Sequence, residues 1–216
     1  FTILMQIHTF LFNPFQENTY IVHDGVSCVI IDPGCFEKRE QDELFSFIEN
    51  NSLKPVALLL THAHVDHVLG CASVLSKFDV DFYIHENDLE TLKAVPNYAH
   101  AYGFKGYLPP KEPNKILRGG EQLSFGDIKF DVKFTPGHCV GHVVYYNQEN
   151  NFVINGDVLF AGSFGRVDLP GGSMNVLKES IFNVMFNLPD ETLVYCGHGA
   201  ETTIAEEKRS NYILQF

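Results

Sequence analysis

The run Val56-Ala57-Leu58-Leu59-Leu60-Thr61-His62-Ala63-His64-Val65-Asp66-His67 constrains this chain more than any other stretch. Five apolar residues followed at once by three histidines and a carboxylate read as a buried strand carrying polar donors at its C-terminal end, where open α/β sheets place their sites. On extended backbone His62, His64 and Asp66 share a face, because side chains repeat every two residues, and His67 points away. Bringing His67 round to the others requires a helix to begin near Asp66, and Val68, Leu69, Val74 and Leu75 supply the apolar stripe for it. A lone histidine at a strand end is usually a hydrogen-bonded surface or core residue. Three at H-x-H-x-D-H spacing are costly to bury without a cation, and imidazole with carboxylate suits zinc, iron or manganese.

Three later positions repeat the pattern of a donor at the end of an apolar strand. His138 follows Phe134-Thr135-Pro136-Gly137, Asp157 follows Val153-Ile154-Asn155-Gly156, and His198 follows Leu193-Val194-Tyr195-Cys196-Gly197. Singly each is weak, since an aspartate after a strand is most often a turn or a helix cap. Four occurrences in order are hard to dismiss as turns and caps.

Between these points the pattern is that of one α/β domain over residues 1–216. Residues 3–12, 18–23 and 28–31 predict an opening β-meander, and residues 37–49 a helix with Leu44, Phe45 and Ile48 at helical spacing. After the histidine cluster and its helix come a strand at 82–85 and a helix at 86–94 that should stop before Pro96. Strands are expected at 128–134, 143–146, 152–154 and 193–195, and helices at 175–186 and 204–209. The stretch 96–113 dissolves into Pro, Gly, Lys and aromatic residues, so Tyr98, Tyr102, Phe104 and Tyr107 either wall a pocket or pin the loop down.

With 45% hydrophobic and 19% charged residues the composition is that of an ordinary globular protein, and a net charge of −12 argues against a nucleic-acid or anionic-membrane partner. No run of apolar residues is long enough to span a membrane, and Phe1-Thr2-Ile3-Leu4-Met5 lacks the basic start and cleavage site of a secretory signal. The five cysteines, an odd number without C-x-x-C spacing, fit reduced thiols in a cytoplasmic compartment. Cys139 and Cys196 each adjoin or approach a histidine, and stand as ligands or nucleophiles on one reading and as small buried residues on the other.

The ordered set T-H-x-H-x-D-H, P-G-H, G-D and G-H-G resembles the metallo-β-lactamase superfamily across nearly the whole chain. Asn18-Thr19-Tyr20, Ile31-Asp32-Pro33-Gly34 and the long run Gly156-Asp157 to Gly171-Gly172 bring it closer to the glyoxalase II (hydroxyacylglutathione hydrolase-like) branch, in its short single-domain bacterial form. Glu207, Arg209 and Asn211 resemble the tail motif of those short members, and an aspartate at 157 rather than a cysteine is unlike true zinc β-lactamases. The resemblance implies a four-layer αββα sandwich holding two divalent metal ions, zinc first, with iron or manganese as alternatives. It implies that His62, His64 and His138 hold one ion, Asp66, His67 and His198 the other, and that Asp157 bridges them. Full-length glyoxalase II has a C-terminal helical segment with glutathione contacts that this sequence does not contain. Arg166 stands where that family has a glutathione-binding lysine, either as a surviving anion contact or as an ion pair with Asp168.

Two cations outweigh two carboxylates, giving a positive pocket in an acidic protein and drawing in an anionic or carbonyl-bearing small molecule. A metal-bound hydroxide, oriented by Asp66 and Asp157, is expected to attack a thioester of the S-lactoylglutathione kind. Persulfide dioxygenases share the G-R-x-D stretch and use one iron, and a lactonase or other ester hydrolase of the same fold differs in pocket shape. His142 is a candidate to orient a ligand, or an ordinary strand histidine.

Overall fold

The computed structural model describes residues 4–216 and divides into two compact units, one running to Leu117 and including Ser124–Ile128, the other formed by Arg118–Leu123 and Lys129–Phe216. In the first unit the expected meander is present as β1 (Gln6–Phe12), β2 (Glu17–His23) and β3 (Ser27–Ile31), paired antiparallel. Ile3, where the first strand was expected to begin, lies outside the described residues. Strands β3, β4 (Lys54–Leu59), β5 (Asp81–His85) and β6 (Lys115–Leu117) then continue the same sheet in parallel, giving the order β1-β2-β3-β4-β5-β6. Lying inside that sheet, β4 is covered on both faces, and this is why Ala57-Leu58-Leu59 is continuous apolar sequence rather than alternating. Leu58 and Leu59 are fully buried and contribute roughly 1.5–3 kcal/mol each.

Helix α1 (Lys38–Asn50) is opened by a capping box between Glu37 and Glu40 and buries Leu44 and Ile48 on the core that contains Leu58, Phe82 and Val74. The helix required after the histidines begins at Val65, with His64 as its extended N-cap, but breaks after one turn into α2 (Val65–Val68) and α3 (Cys71–Lys77). The break falls at Gly70, whose N–H leaves the helical pattern to donate to the Pro33 carbonyl at 2.7 Å. A Cβ there would sit 2.3 Å from Cys35 Sγ, so only glycine lets the break lie against Pro33 and Cys35. Helix α4 (Leu89–Tyr98) does not stop before Pro96, as expected, but runs through it. Only one hydrogen bond near the C-terminus is lost there, and buried Leu92 and Val95 hold the last turn in place.

The second sheet has the order β14-β13-β10-β9-β8-β7. It comprises β7 (Gln122–Phe125), β8 (Ile128–Phe134), β9 (Val143–Asn147), β10 (Phe152–Gly156), β13 (Leu193–Cys196) and β14 (Thr202–Thr203). A small hairpin, β11 (Leu159–Phe160) with β12 (Ser163–Phe164), follows β10. Helix α5 (Met174–Asn183), capped by Ser173, and α6 (Ile204–Ser210), capped by Thr203, bury Leu177, Ile181 and Ile204 on a core with Val144, Val153 and Val194. The α5 helix ends three residues earlier than the sequence pattern implies, giving way to a short 3-10 turn at Met185–Asn187. No described helix is long and apolar enough to cross a membrane.

Candidate metal centre

In the first unit the corner after β4 carries all four donors named from its sequence. His62 and His67 are fully buried with ring centroids 4.2 Å apart, His64 lies 4.8 Å from His62, and Asp66 and His64 are partly open. The His67 ring is set by Asp32: Nδ1 lies 3.1 Å from Asp32 Oδ2, which leaves Nε2 facing Asp66 Oδ2 at 3.6 Å. A carboxylate can only accept here, so His67 carries its proton on Nδ1 and turns the Nε2 lone pair inward.

Asp32 lies within ligating distance of His62 and His67, yet its oxygens are already engaged by Thr61 N–H (2.7 Å), Thr61 Oγ1 (2.5 Å) and His67. It therefore orients the ring rather than joining the donor set, and it does so from a left-handed backbone (φ 49°). The sequence offered Asp32 only as a letter of the Ile31-Asp32-Pro33-Gly34 motif. The signal was there, since Asp32 follows an apolar strand just as Asp157 does. Buried Asp88, whose Oδ2 accepts the Ala63 N–H at 2.5 Å, holds the loop between His62 and His64 and left no comparable signal. Glu17 is a further buried acid beside His67: burial, reinforced by Asp32 and Asp66, pushes its carboxyl well above the usual range even though His67 opposes it.

The second unit brings its three named donors together in the same way. His138 Nδ1 donates to the Arg166 carbonyl at 2.8 Å, so the neutral ring carries no proton on Nε2, and that atom faces Asp157 Oδ2 at 3.5 Å. From the end of β13, His198 Nε2 faces the same oxygen at 3.6 Å. His142 Nε2 accepts the Asp157 N–H at 3.1 Å and its Nδ1 meets Thr135 Oγ1 at 3.2 Å. It positions the aspartate backbone, a role between the two open readings.

These spacings supply the fit test for a cation. N···O distances of 3.5–3.6 Å exceed ordinary hydrogen bonds. Two ligands each ~2.1 Å from one tetrahedral ion stand about 3.4 Å apart, so imidazole and carboxylate in each unit are spaced as co-ligands. Neutral imidazole nitrogens with the tautomer fixed by a protein partner are the donors that zinc and iron take. The residues fit the group.

Arg166 is exposed and forms a bidentate pair with Asp168, both contacts 2.7 Å, and the guanidinium holds the Asp168 carboxyl down at about 2. What reaches the His138 ring is its backbone carbonyl, a contribution independent of side-chain identity. All five cysteines are buried as free thiols, and burial raises Cys28 and Cys196 to about 12. A raised thiol pKa leaves almost no thiolate at pH 8 while the chain is folded. Iodoacetamide at that pH should therefore label none of the five in the native protein and all five in urea. Mass spectrometry reads the outcome, and native labelling of Cys196 would restore it as a nucleophile.

Residues 12–198 match the description of the metallo-beta-lactamase superfamily. The probable metallo-hydrolase YqgX of Bacillus subtilis (strain 168) is 37% identical over 93% of each chain. The hydroxyacylglutathione hydrolase GloC of Haemophilus influenzae is 34% identical over 97% of this chain and 98% of its own. Among solved structures, the BLEG-1 B3 metallo-beta-lactamase is 34% identical with a TM-score of 0.88, covering 98% of this chain and 100% of that one. TTHA1623, solved in a di-iron-bound form, is 38% identical with a TM-score of 0.85, covering 95% and 98%.

Proposed function

The chain belongs to the metallo-β-lactamase superfamily, with its fold of mixed sheets flanked by helices, and from that premise we propose that this metallo-hydrolase cleaves a glutathione-type thioester such as S-lactoylglutathione. The observation that carries the reading is the donor geometry, imidazole Nε2 atoms 3.5–3.6 Å from carboxylate oxygens in both units, in a chain that matches GloC over 97% of its length. His62, His64 and His138 would hold one divalent cation, Asp66, His67 and His198 another, and Asp157 both, with zinc the first choice for this donor set.

When bound, such ions supply a water acidified toward neutrality and a Lewis acid for the carbonyl. The chain's own groups do the rest. Asp66 and Asp157 accept a hydrogen bond from the attacking water and aim its lone pair. Asp32 and the Arg166 carbonyl keep the His67 and His138 rings in the tautomer that points Nε2 inward. His142 holds the Asp157 backbone in register. The departing thiolate, whose conjugate acid has a pKa of about 8.5, needs no protonating side chain.

The test is a panel of thioesters, lactones, β-lactams and persulfides assayed on protein loaded with zinc, iron or manganese. Thioester hydrolysis should dominate, vanish on chelation and return with added metal. Oxygen consumption on a persulfide with one iron per chain, or preferred opening of a β-lactam or lactone, overturns the assignment.

A further inference from the structure

Beside the turn after β1, the first unit holds a cavity of about 330 Å³ walled by Phe36, Tyr102 and Phe104, with Asn13 and Arg39 on its lining. Ring contacts build the walls: Phe104 meets Phe36 at 5.2 Å and Phe15 at 5.7 Å between centroids, and Phe15 meets Tyr102 at 6.0 Å, all edge to face. The aromatic stretch left open by the sequence thus both pins itself down and lines a cavity. Asn13 Nδ2 donates to the Asp66 and Gly34 carbonyls, each at 3.1 Å, so one lining side chain touches the backbone of a proposed metal ligand.

Charge around this cavity is already assigned, with one exception. Glu40 accepts from the N–H groups of Asn13, Phe36 and Glu37, and the Glu37 side chain caps α1. Lys38, beside them on α1, pairs with Asp42. Arg39 is exposed and, among the described residues, has neither an ion pair nor a hydrogen bond. An uncommitted guanidinium fork at an aromatic cavity of this size is built to take a carboxylate at the end of a short organic arm.

We infer that this cavity receives the carboxylate-bearing arm of the substrate, with Arg39 reading the carboxylate, so that the chain selects thioesters carrying an anionic arm over uncharged ones. The inference rests on the thioester reading for the identity of the reacting group, and on the cavity and Arg39 for selectivity. Its test compares S-lactoylglutathione with the uncharged S-lactoyl-N-acetylcysteamine on metal-loaded wild type, Arg39→Ala and Arg39→Lys. Arg39→Ala should lower the ratio of kcat/KM for the anionic over the uncharged ester by about 10- to 100-fold, the loss of a charge-assisted bidentate contact. Arg39→Lys, a point charge without the fork, should recover part of it.

A readout without turnover separates the two proposals: calorimetric titration of S-methylglutathione, which cannot be hydrolysed, should weaken by a similar factor in Arg39→Ala. If no thioester is hydrolysed but this titration depends on Arg39, the cavity assignment stands and the hydrolase reading falls. If thioesters are hydrolysed and the ratio is unchanged by Arg39→Ala, the cavity assignment falls alone. If the wild type neither hydrolyses a thioester nor binds S-methylglutathione, both fall.

Discussion

Asp157→Ala should lose metal and lose turnover together, with kcat/KM on the thioester down by at least about 10³-fold. The magnitude follows from what one oxygen does: Asp157 Oδ2 faces both His138 Nε2 at 3.5 Å and His198 Nε2 at 3.6 Å, so its removal opens every cation position it serves. Lewis-acid stabilisation is worth several kcal/mol, and each 1.36 kcal/mol is tenfold in rate, so about 4 kcal/mol suffices for the stated loss. His64→Ala should behave alike. Asp157 is 6% exposed, and truncating its carboxylate removes a buried charge cluster's anion, so the fold should survive with a near-native circular dichroism spectrum. His142→Ala is the graded comparison. It removes the acceptor for the Asp157 N–H together with the partner of Thr135 Oγ1, and should cost about 10- to 100-fold in metal affinity or activity, the range for partners one step removed. Elemental analysis beside steady-state kinetics reads both. An Asp157→Ala protein that keeps full hydrolysis refutes the metal assignment outright.

The strands ending at Leu59, Phe134, Gly156 and Cys196 were legible because each is an apolar run, or in Ile128–Phe134 an alternating one, followed by a donor, a pattern that burial and sheet geometry impose directly on the letters. The groups that aim those donors were not. Arg166 orients His138 through its carbonyl, and any residue but one with a displaced backbone would do the same, so nothing in the sequence marks the role. Asp88 reaches Ala63 across 25 positions. Asp32 was visible as a motif letter, but its choice between ligand and orienting acid is decided by Thr61 donating twice to it, a tertiary fact. The same limit explains the helices. Periodicity marks the apolar stripe Val68, Leu69, Val74 and Leu75, whereas the break at Gly70 depends on Pro33 and Cys35 arriving from elsewhere. Pro96 was a sound stop signal by local rules and was overridden by buried Leu92 and Val95. Short pieces such as β6, β11, β12 and β14, of two or three residues, exist by pairing with neighbours and carry no period to read.

Gly34→Ala should be among the most damaging single-atom additions in the first unit. A Cβ at Gly34 would lie 2.1 Å from Glu17 Oε2, 2.6 Å from the Asp66 carbonyl oxygen and 2.7 Å from Asn13 Nδ2. None of the three can yield cheaply: Glu17 is fully buried, the Asp66 oxygen is backbone, and Asn13 bridges the Asp66 and Gly34 carbonyls. Overpacking a filled site costs 1–3 kcal/mol, and with backbone among the obstacles the upper end, about 3 kcal/mol, is expected. In a chain of 216 residues that lowers Tm by roughly 6–12 °C. Turnover should fall further than stability implies, because relief of the clash moves Asp66, and a displacement near 1 Å at a reacting centre can cost about 10²-fold. Gly25→Ala is the control. Gly25 has φ 94° and nothing within 4 Å of the added atom, so it meets backbone strain alone, about 1–2 kcal/mol, and leaves the metal corner in place. Calorimetric melting and metal-dependent kinetics on the pair decide the matter: equal Tm losses with Gly34→Ala still active would mean that the Asp66 corner is not held by this contact.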